Sequence, residues 1–163
     1  MLILPKGCND IMLDVFAKRL AEFMKDENLS QRKLSFMINC QSKSIRYWLS
    51  GKYYPRHDFL VSVAELFHVS IDYLLGLVDV EEECLTKFNV DYKKRLIDKL
   101  SAYMRTNGIT YYKLAKSLDI GQTTLKRWFL NGSMPETTIL IRISKLLGER
   151  LDDLFGRGIS LDG

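Results

Sequence analysis

The sequence has few of the residues that build metal centres and disulfide frameworks. Its 163 residues include three cysteines, two histidines and three prolines. Cys8, Cys40 and Cys84 form no CxxC pair and are odd in number, so their spacing assembles neither a metal site nor a complete set of disulfides. We therefore expect reduced thiols, no bound metal and no cofactor.

Long apolar runs and catalytic motifs are also missing. No stretch approaches the ~18 consecutive apolar residues that a membrane-spanning helix needs. The opening MLILPKGCNDIM lacks the basic start and the long apolar centre of a signal peptide. The sequence contains no GxSxG, no HExxH and no glycine-rich phosphate loop. These absences predict a cytoplasmic protein with no membrane partner and no enzymatic activity.

Acidic residues are missing from one long stretch of the chain, which runs from Asn28 to His57. Its six basic residues are Arg32, Lys33, Lys43, Arg46, Lys52 and Arg56. The net charge is +2 over residues 14–77, −4 over 78–91 and +6 over 92–156, within a total of +4. Because a solvated helical surface usually mixes both signs of charge, the acid-free stretch favours a surface that faces a polyanion.

What the chain does contain is an internal repeat. When the sequence is aligned with itself so that Asp14 falls on Lys94, Asp14–Gly76 matches Lys94–Gly156 without a gap, and 11 of the 63 positions are identical. A shared pattern of apolar spacing and turn residues predicts the same supersecondary unit in both copies. The predicted order is an N-terminal arm at 1–11, a first domain at 12–77, an acidic linker at 78–91, a second domain at 92–156 and a tail at 157–163.

Each copy is predicted to contain five helices, so the fold class is all-α. In the first copy, apolar residues at positions 16, 20, 23 and 24 have the spacing of an amphipathic helix. Ser30 is the expected N-cap of a second helix at 31–38, as Thr110 is at the matching position of the second copy, and Asn39 suits a left-handed turn after the first-copy helix. The residues that this second helix is predicted to bury are Leu34, Met37 and Ile38. Three further helices are predicted. The first covers 42–50 with Gly51 as its C-cap, the second follows Pro55, and the third covers 71–75.

The third helix of each copy has two different faces. The predicted inner faces consist of Ile45, Trp48 and Leu49 in the first copy and of Leu125, Trp128 and Phe129 in the second. The predicted outer faces consist of Lys43, Arg46, Tyr47 and Ser50, and of Thr123, Lys126, Arg127 and Leu130. A short helix with a basic, hydrogen-bonding outer face fits a DNA major groove, which is about 12 Å wide.

The first copy resembles the Xre/Cro helix-turn-helix of phage repressors and bacterial transcription regulators. The resemblance lies in the run LSQRKLSFMINCQSKSIRYWLSGKYYPRHDFLVSVAELFHVSIDYLLG. Its matching elements are Leu29-Ser30-Gln31, Leu34, Ile45 with Trp48, Gly51, Pro55, Leu60, Ala64 and the ending at residues 69–76. The second copy departs further, because Tyr111 stands where the family commonly has glutamine. The first copy is therefore the expected main reader.

The resemblance implies five-helix, lambda-repressor-like domains that bind double-stranded DNA. In this family the third helix lies in the major groove and the second helix crosses the backbone. The positions that match the family's DNA-binding surface are Gln31, Gln41, Ser42, Lys43, Arg46 and Tyr47 in the first copy, and Gln122, Thr123, Lys126 and Arg127 in the second. To these we add Lys52 from the basic stretch. The implied protein is a sequence-specific, repressor-like transcription regulator of bacterial or phage origin, with a homodimer as one option.

Two other hypotheses stay open. The second copy is a degenerate domain that serves mainly for dimerisation, or the whole chain is a protein-interaction module, such as an antitoxin or adaptor, that keeps the helix-turn-helix as a scaffold. A strong salt dependence of duplex binding separates the DNA-binding hypotheses from the scaffold hypothesis.

The segment 78–91 is expected to connect two reading helices on one duplex. Fourteen extended residues span up to about 45–50 Å, whereas successive major-groove faces lie ~34 Å apart. Leu85 and Phe88 are expected to pack, and Asp91 is expected to cap the first helix of the second copy.

Overall fold

The computed structural model of the protein describes residues 8–81, 83–84, 87–88 and 91–157. These residues form ten helices and no strand apart from one isolated antiparallel bridge, which confirms the all-helical prediction. The helices are α1 Cys8–Asp26, α2 Gln31–Met37, α3 Ser42–Leu49, α4 His57–Leu66, α5 Ile71–Leu74, α6 Tyr92–Asn107, α7 Tyr111–Ser117, α8 Gln122–Asn131, α9 Thr137–Leu147 and α10 Leu151–Leu154. None of these helices is long and apolar enough to cross a membrane.

The chain divides into two compact units, residues 2–85 and residues 86–163. We call them unit one and unit two. Unit one contains α1–α5, and unit two contains α6–α10. The helix positions recur in the register of the sequence repeat, since both ends of α7 align with the ends of α2, and both ends of α10 align with those of α5. The identity of the two units as tandem copies of one domain stays a prediction.

The core of unit one forms where α1 packs against α3 and α5, while α2 packs on α3 and α4 on α5. Phe16 and Leu20 of α1 and Ile45 of α3 are fully buried. Trp48 is 2% exposed, and its ring centroid lies 5.7 Å from that of Phe59. The tryptophan therefore belongs to the core, as its position beside Ile45 on one helix face predicts.

Unit two buries the corresponding residues. Here α7 packs on α8, and α10 packs on both α6 and α9. Leu96 and Leu100 of α6 and Leu125 of α8 are fully buried, and Trp128 is 3% exposed. Burial of these apolar side chains is what fixes the orientation of α8, because it leaves the opposite face of that helix in solvent.

The turns between helices use the left-handed backbone conformation at matching positions in the two units. Glycine adopts this conformation without strain, and asparagine and aspartate tolerate it better than most residues. The turn between the second and third helices has φ +53° at Asn39 in unit one and φ +54° at Asp119 in unit two. The prediction for Asn39 is therefore confirmed.

One side chain in α2 lies on a different face from the one predicted. Met37 is 52% exposed, whereas the sequence analysis placed it in the core. Leu34, Ser35 and Ile38 form the buried face of α2. At about 100° per residue, Met37 lies roughly 100° from the centre of that face, so the prediction of burial was wrong.

Unit one continues beyond the boundary predicted at residue 77. Arg19 of α1 donates hydrogen bonds to the carbonyl oxygens of Tyr73 and Val78, with 3.1 Å between Nη1 and the Val78 oxygen. The backbone N–H of Cys84 donates to the His68 oxygen at 2.7 Å, and Cys84 is 3% exposed. Residues 78–84 therefore contain several positions that are held against unit one.

Unit two holds the other end of the predicted linker. Phe88 is buried, as expected, and its ring centroid lies 6.2 Å from that of Phe155. Asp91 occupies the N-cap position of α6, but its side chain makes no capping hydrogen bond. Cys84 is thus held by unit one and Phe88 by unit two, whereas the calculated reach assumed that all of 78–91 is extended. Leu85 lies outside the described residues.

The ends of the chain also depart from the predicted boundaries. Helix α1 begins at Cys8, inside the predicted arm, of which residues 1–7 lie outside the described residues. Arg157, which was expected to open the C-terminal tail, is 1% exposed. Its Nη1 atom lies 3.8 Å from Oδ1 of the buried Asp152, and its guanidinium carbon lies 4.6 Å from the centroid of the Phe88 ring. Arg157 is therefore a core residue of unit two.

Candidate nucleic-acid interface

Serine hydroxyls hold α2, the following turn and α3 together in unit one. Oγ of Ser30 accepts a hydrogen bond from the backbone N–H of Lys33 at 3.2 Å, which confirms Ser30 as the N-cap of α2. The hydroxyls of Ser35 and Ser42 lie 2.9 Å apart and join α2 to the first residue of α3. In the turn, the backbone N–H of Cys40 donates to the Ser35 oxygen at 2.9 Å. The angle between the two helices is thus fixed by short hydrogen bonds as well as by packing.

Unit two fixes the same turn in a different way. Oγ1 of Thr110 accepts from the backbone N–H of Lys113 at 3.4 Å and caps α7 as predicted. Arg142 of α9 reaches the turn, where its Nη1 donates to the Leu118 oxygen at 2.9 Å and lies 3.7 Å from Oδ2 of Asp119. The alignment places Ala115 and Gln122 where unit one has its two bonded serines, so the hydroxyl pair is absent.

The predicted site residues of both units lie at the surface. Those that are exposed in unit one are Gln31, Gln41, Ser42, Lys43, Arg46 and Lys52, and Tyr47 is half-buried. Those that are exposed in unit two are Gln122, Thr123, Lys126 and Arg127. Because Ile45 and Trp48 are buried on the opposite side of α3, and Leu125 and Trp128 on that of α8, the predicted outer faces do point to solvent.

Three cations surround one aromatic ring on the outer side of unit one. The Nζ atoms of Lys43 and Lys52 lie 5.5 and 4.4 Å from the centroid of the Tyr47 ring, and the guanidinium carbon of Arg46 lies 5.7 Å from it. The Tyr53 ring lies 5.4 Å from the Tyr47 ring, between centroids. We call these five residues the Tyr47 cluster. The ring faces attract the cations and hold three positive charges close together at an exposed surface.

The positive charges of this surface have no acidic partner among the residues that the structure describes. Arg32, Lys33, Lys43, Arg46 and Lys52 are all exposed, and none of them forms an ion pair with another described residue. An exposed group of cations without acidic partners is the electrostatic pattern that phosphate groups of a nucleic acid complement.

Arg56, the sixth basic residue of the acid-free stretch, is an exception. Its Nε atom donates to Oδ1 of Asp58 at 3.2 Å, and Nη2 contacts the other carboxylate oxygen. Burial by itself would raise the pKa of Asp58, but hydrogen bonds from Arg56 and from the backbone N–H of Phe59, with the charges of Arg56 and His57, lower that pKa overall. The same pairing raises the pKa of Arg56.

The outer face of unit two is simpler. Its exposed basic residues without an ion pair to a described residue are Lys113, Lys116, Lys126 and Arg127. Arg127 takes the position of Tyr47, and among the described residues no cation lies over a ring of α8. Leu130, at the far end of the same helix, is 79% exposed. The two units therefore present different sets of side chains on their outer faces.

The described residues assemble no metal-ligand cluster. No group of three or more histidine, cysteine, aspartate or glutamate residues is arranged to hold a metal ion among them. Cys40 and Cys84 are free thiols, and burial raises the pKa of Cys40. A raised pKa lowers the fraction of the Cys40 thiol that is ionised.

Sequence reasoning missed three residues that hold the turns or adjoin the outer faces described above. Ser35 was assigned no role, although a serine in the second helix followed by another at the start of the third was a visible signal. Tyr53 was not placed beside Tyr47, although it follows Lys52 directly. Arg142 gave no local signal, since its partners Leu118 and Asp119 precede α8 in the chain whereas Arg142 lies in α9.

A comparison with protein families finds similarity to a helix-turn-helix in the second half of the chain. The Helix-turn-helix family model matches residues 100–154, which comprise the second half of α6 and all of α7–α10. The matched segment is the copy that the sequence analysis ranked as the weaker one. No curated protein and no solved structure matches the chain significantly.

Proposed function

We propose that the protein is a sequence-specific, repressor-like regulator of transcription that binds double-stranded DNA with both units. The helix-turn-helix match at residues 100–154 carries the proposal. In unit two, α8 would enter the major groove, as the second helix of a helix-turn-helix does, while α7 crosses the backbone. Gln122 and Thr123, at the start of α8, then face base edges, and Lys126 and Arg127 face bases or phosphates.

The same role for unit one rests on its geometry. Helix α3 follows α2 through a turn whose left-handed residue, Asn39, corresponds to Asp119 of unit two. Its outer face carries the Tyr47 cluster and exposed, unpaired cations. Gln31 lies at the start of α2, where the family resemblance implies a contact with a phosphate or a base. Gln41 and Ser42 lie at the start of α3, where side chains reach base edges.

Binding measurements across a salt series test this function. Neutralisation of about five to eight phosphates predicts that log K falls against log salt concentration with a slope of about −4 to −7. The measurement is fluorescence anisotropy of the full chain with labelled duplex fragments from its own genomic neighbourhood. The control variant Lys18→Ala removes an exposed lysine from α1 and should leave the slope almost unchanged. Absence of binding at low salt would contradict the proposal.

One observation favours the protein-interaction hypothesis instead. Phe36 and Met37 of α2 are 88% and 52% exposed, and unit two has Lys116 and Ser117 at these positions. Adjacent exposed apolar side chains are common in protein-binding surfaces. The double variant Phe36→Lys/Met37→Ser copies unit two, so it should fold normally. We expect DNA affinity to be retained or slightly raised, whereas a scaffold protein would lose its partner and show no duplex binding in either form.

A further inference from the structure

The outer faces of α3 and α8 carry different chemistry at positions that correspond in the repeat. Of the pairs on these faces, Arg46/Lys126 keeps a cation in both units. The other pairs change class: they are Ser42/Gln122, Lys43/Thr123, Tyr47/Arg127 and Ser50/Leu130. The inner faces, in contrast, keep their apolar character, as Ile45 and Leu125 are both fully buried. The scaffold is therefore maintained while the surfaces that would contact bases have diverged.

The face of α3 offers mainly hydrogen-bond donors. Lys43 and Arg46 carry donors and no acceptors, and the Tyr47 ring gathers both of them, with Lys52, at one place. The Ser42 hydroxyl is already within 2.9 Å of Ser35. Guanine presents two acceptors, N7 and O6, at its major-groove edge and is the base that arginine and lysine bind best. This face is complementary to a half-site that contains guanine.

The face of α8 begins with groups that suit adenine and thymine. Gln122 takes the place of Ser42, and Ala115 takes the place of Ser35. Unit two therefore lacks the hydrogen bond between serine hydroxyls that joins α2 to α3 in unit one, and the Gln122 amide is not held to α7 in that way. An amide both donates and accepts, which matches N6 and N7 of adenine. Thr123, exposed beside it, offers a methyl group to the thymine methyl as well as a hydroxyl. Only Lys126 and Arg127 favour guanine or phosphate.

We propose that this protein binds a composite operator with two unlike half-sites, a guanine-containing one for α3 and one with adenine or thymine for α8. The inference rests on the proposed function, because it requires both units to bind DNA. A dimer of identical domains reads a palindrome, since both of its reading helices have the same side chains. A single chain with two diverged faces has no such symmetry and selects an asymmetric sequence.

Selection from a random duplex library with the full chain tests the operator's form. The wild-type protein is expected to enrich sequences that contain two different motifs. The variant Lys43→Ala/Arg46→Ala should lose preference in the guanine-containing motif alone, and Gln122→Ala/Thr123→Ala in the other motif alone. Each variant should bind the selected site about tenfold or more weakly. We also compare affinities for a duplex in which the half-site assigned to the substituted unit is scrambled. On that duplex, the affinity of each variant should lie within about twofold of the wild-type affinity. The control Lys18→Ala should select the wild-type site.

The outcomes separate the two proposals. The selection could enrich two copies of one motif, in either relative orientation, or a single motif. Either result would overturn the composite operator and leave the proposal of DNA binding intact. If no duplex is enriched although circular dichroism shows a folded helical protein, the proposed function fails and the operator with it. A loss of both motifs from one double variant with wild-type helicity would also overturn the assignment of one half-site to each unit.

Discussion

Lys43, Arg46 and Lys52 approach the Tyr47 ring to between 4.4 and 5.7 Å, although like charges repel one another. Each exposed cation–π contact contributes about 0.5–1 kcal/mol, which is enough to keep the cations gathered. We expect Tyr47→Leu to weaken DNA binding by about 1–2 kcal/mol, because the cations spread apart when the ring is removed. Tyr47→Phe keeps the ring and should bind nearly as well as wild type in fluorescence anisotropy. If Tyr47→Leu and Tyr47→Phe weaken DNA binding equally, the Tyr47 hydroxyl, and not the ring, contacts DNA.

Arg157 provides a second test at the level of single residues, this time of stability. Its ion pair with Asp152 is fully buried, and removal of one partner of such a pair commonly costs about 3–5 kcal/mol. We expect Arg157→Met to lower the free energy of unfolding by that amount, measured by urea denaturation. The double variant Arg157→Met/Asp152→Asn should recover a large part of the loss, since no carboxylate is then left without its cation. If Arg157→Met is as stable as wild type, a role for Arg157 in the core is contradicted.

At the scale of elements, the start of α4 couples helix stability to pH. Asp58 lies in the first turn of α4, where a negative charge is favourable, and its pKa in the folded protein is lowered. A carboxyl with a lowered folded pKa contributes stability above its unfolded pKa of about 3.9, and this contribution is lost as the pH falls through the folded value. We expect wild type to lose more stability than Asp58→Asn between neutral pH and about pH 3 in thermal melts. Parallel pH profiles would contradict this.

The helices were largely predictable because their signals are local. Apolar spacing, Ser30 and Thr110 as caps, and Asn39 in the turn all act within a few residues, and the structure confirms each of them. The burial of Met37 was mispredicted because an apolar residue at the edge of a helix face gives the same spacing signal as a core residue. The Tyr47 cluster could not be predicted as such, since it joins α3 to Lys52 and Tyr53, which follow the helix.

At the scale of the whole molecule, the repeat predicted what the two units have in common and nothing of what differs between them. Arg157 aligns with Leu77, and Phe88 precedes the aligned part of the second copy, so no comparison of the copies could assign either residue to a core. The ranking of the copies was affected in the same way. It gave weight to Gln31 against Tyr111 at the surface, whereas the family match extends over residues 100–154 of the second copy.

If both units contact the same duplex, substitutions in the two units should have additive effects on the salt dependence of DNA binding. Each phosphate contact that is lost should make the slope of log K against log salt shallower by about one unit. We therefore expect slopes shallower by up to about two units for Lys43→Ala/Arg46→Ala and for Lys126→Ala/Arg127→Ala. The fourfold variant should show the sum of the two changes, measured by anisotropy on one duplex. If unit two serves only for dimerisation, its pair of substitutions will leave the slope unchanged, and the fourfold variant will behave like the unit-one variant. If only unit two binds DNA, Lys43→Ala/Arg46→Ala will leave the slope unchanged, and the fourfold variant will behave like the unit-two variant.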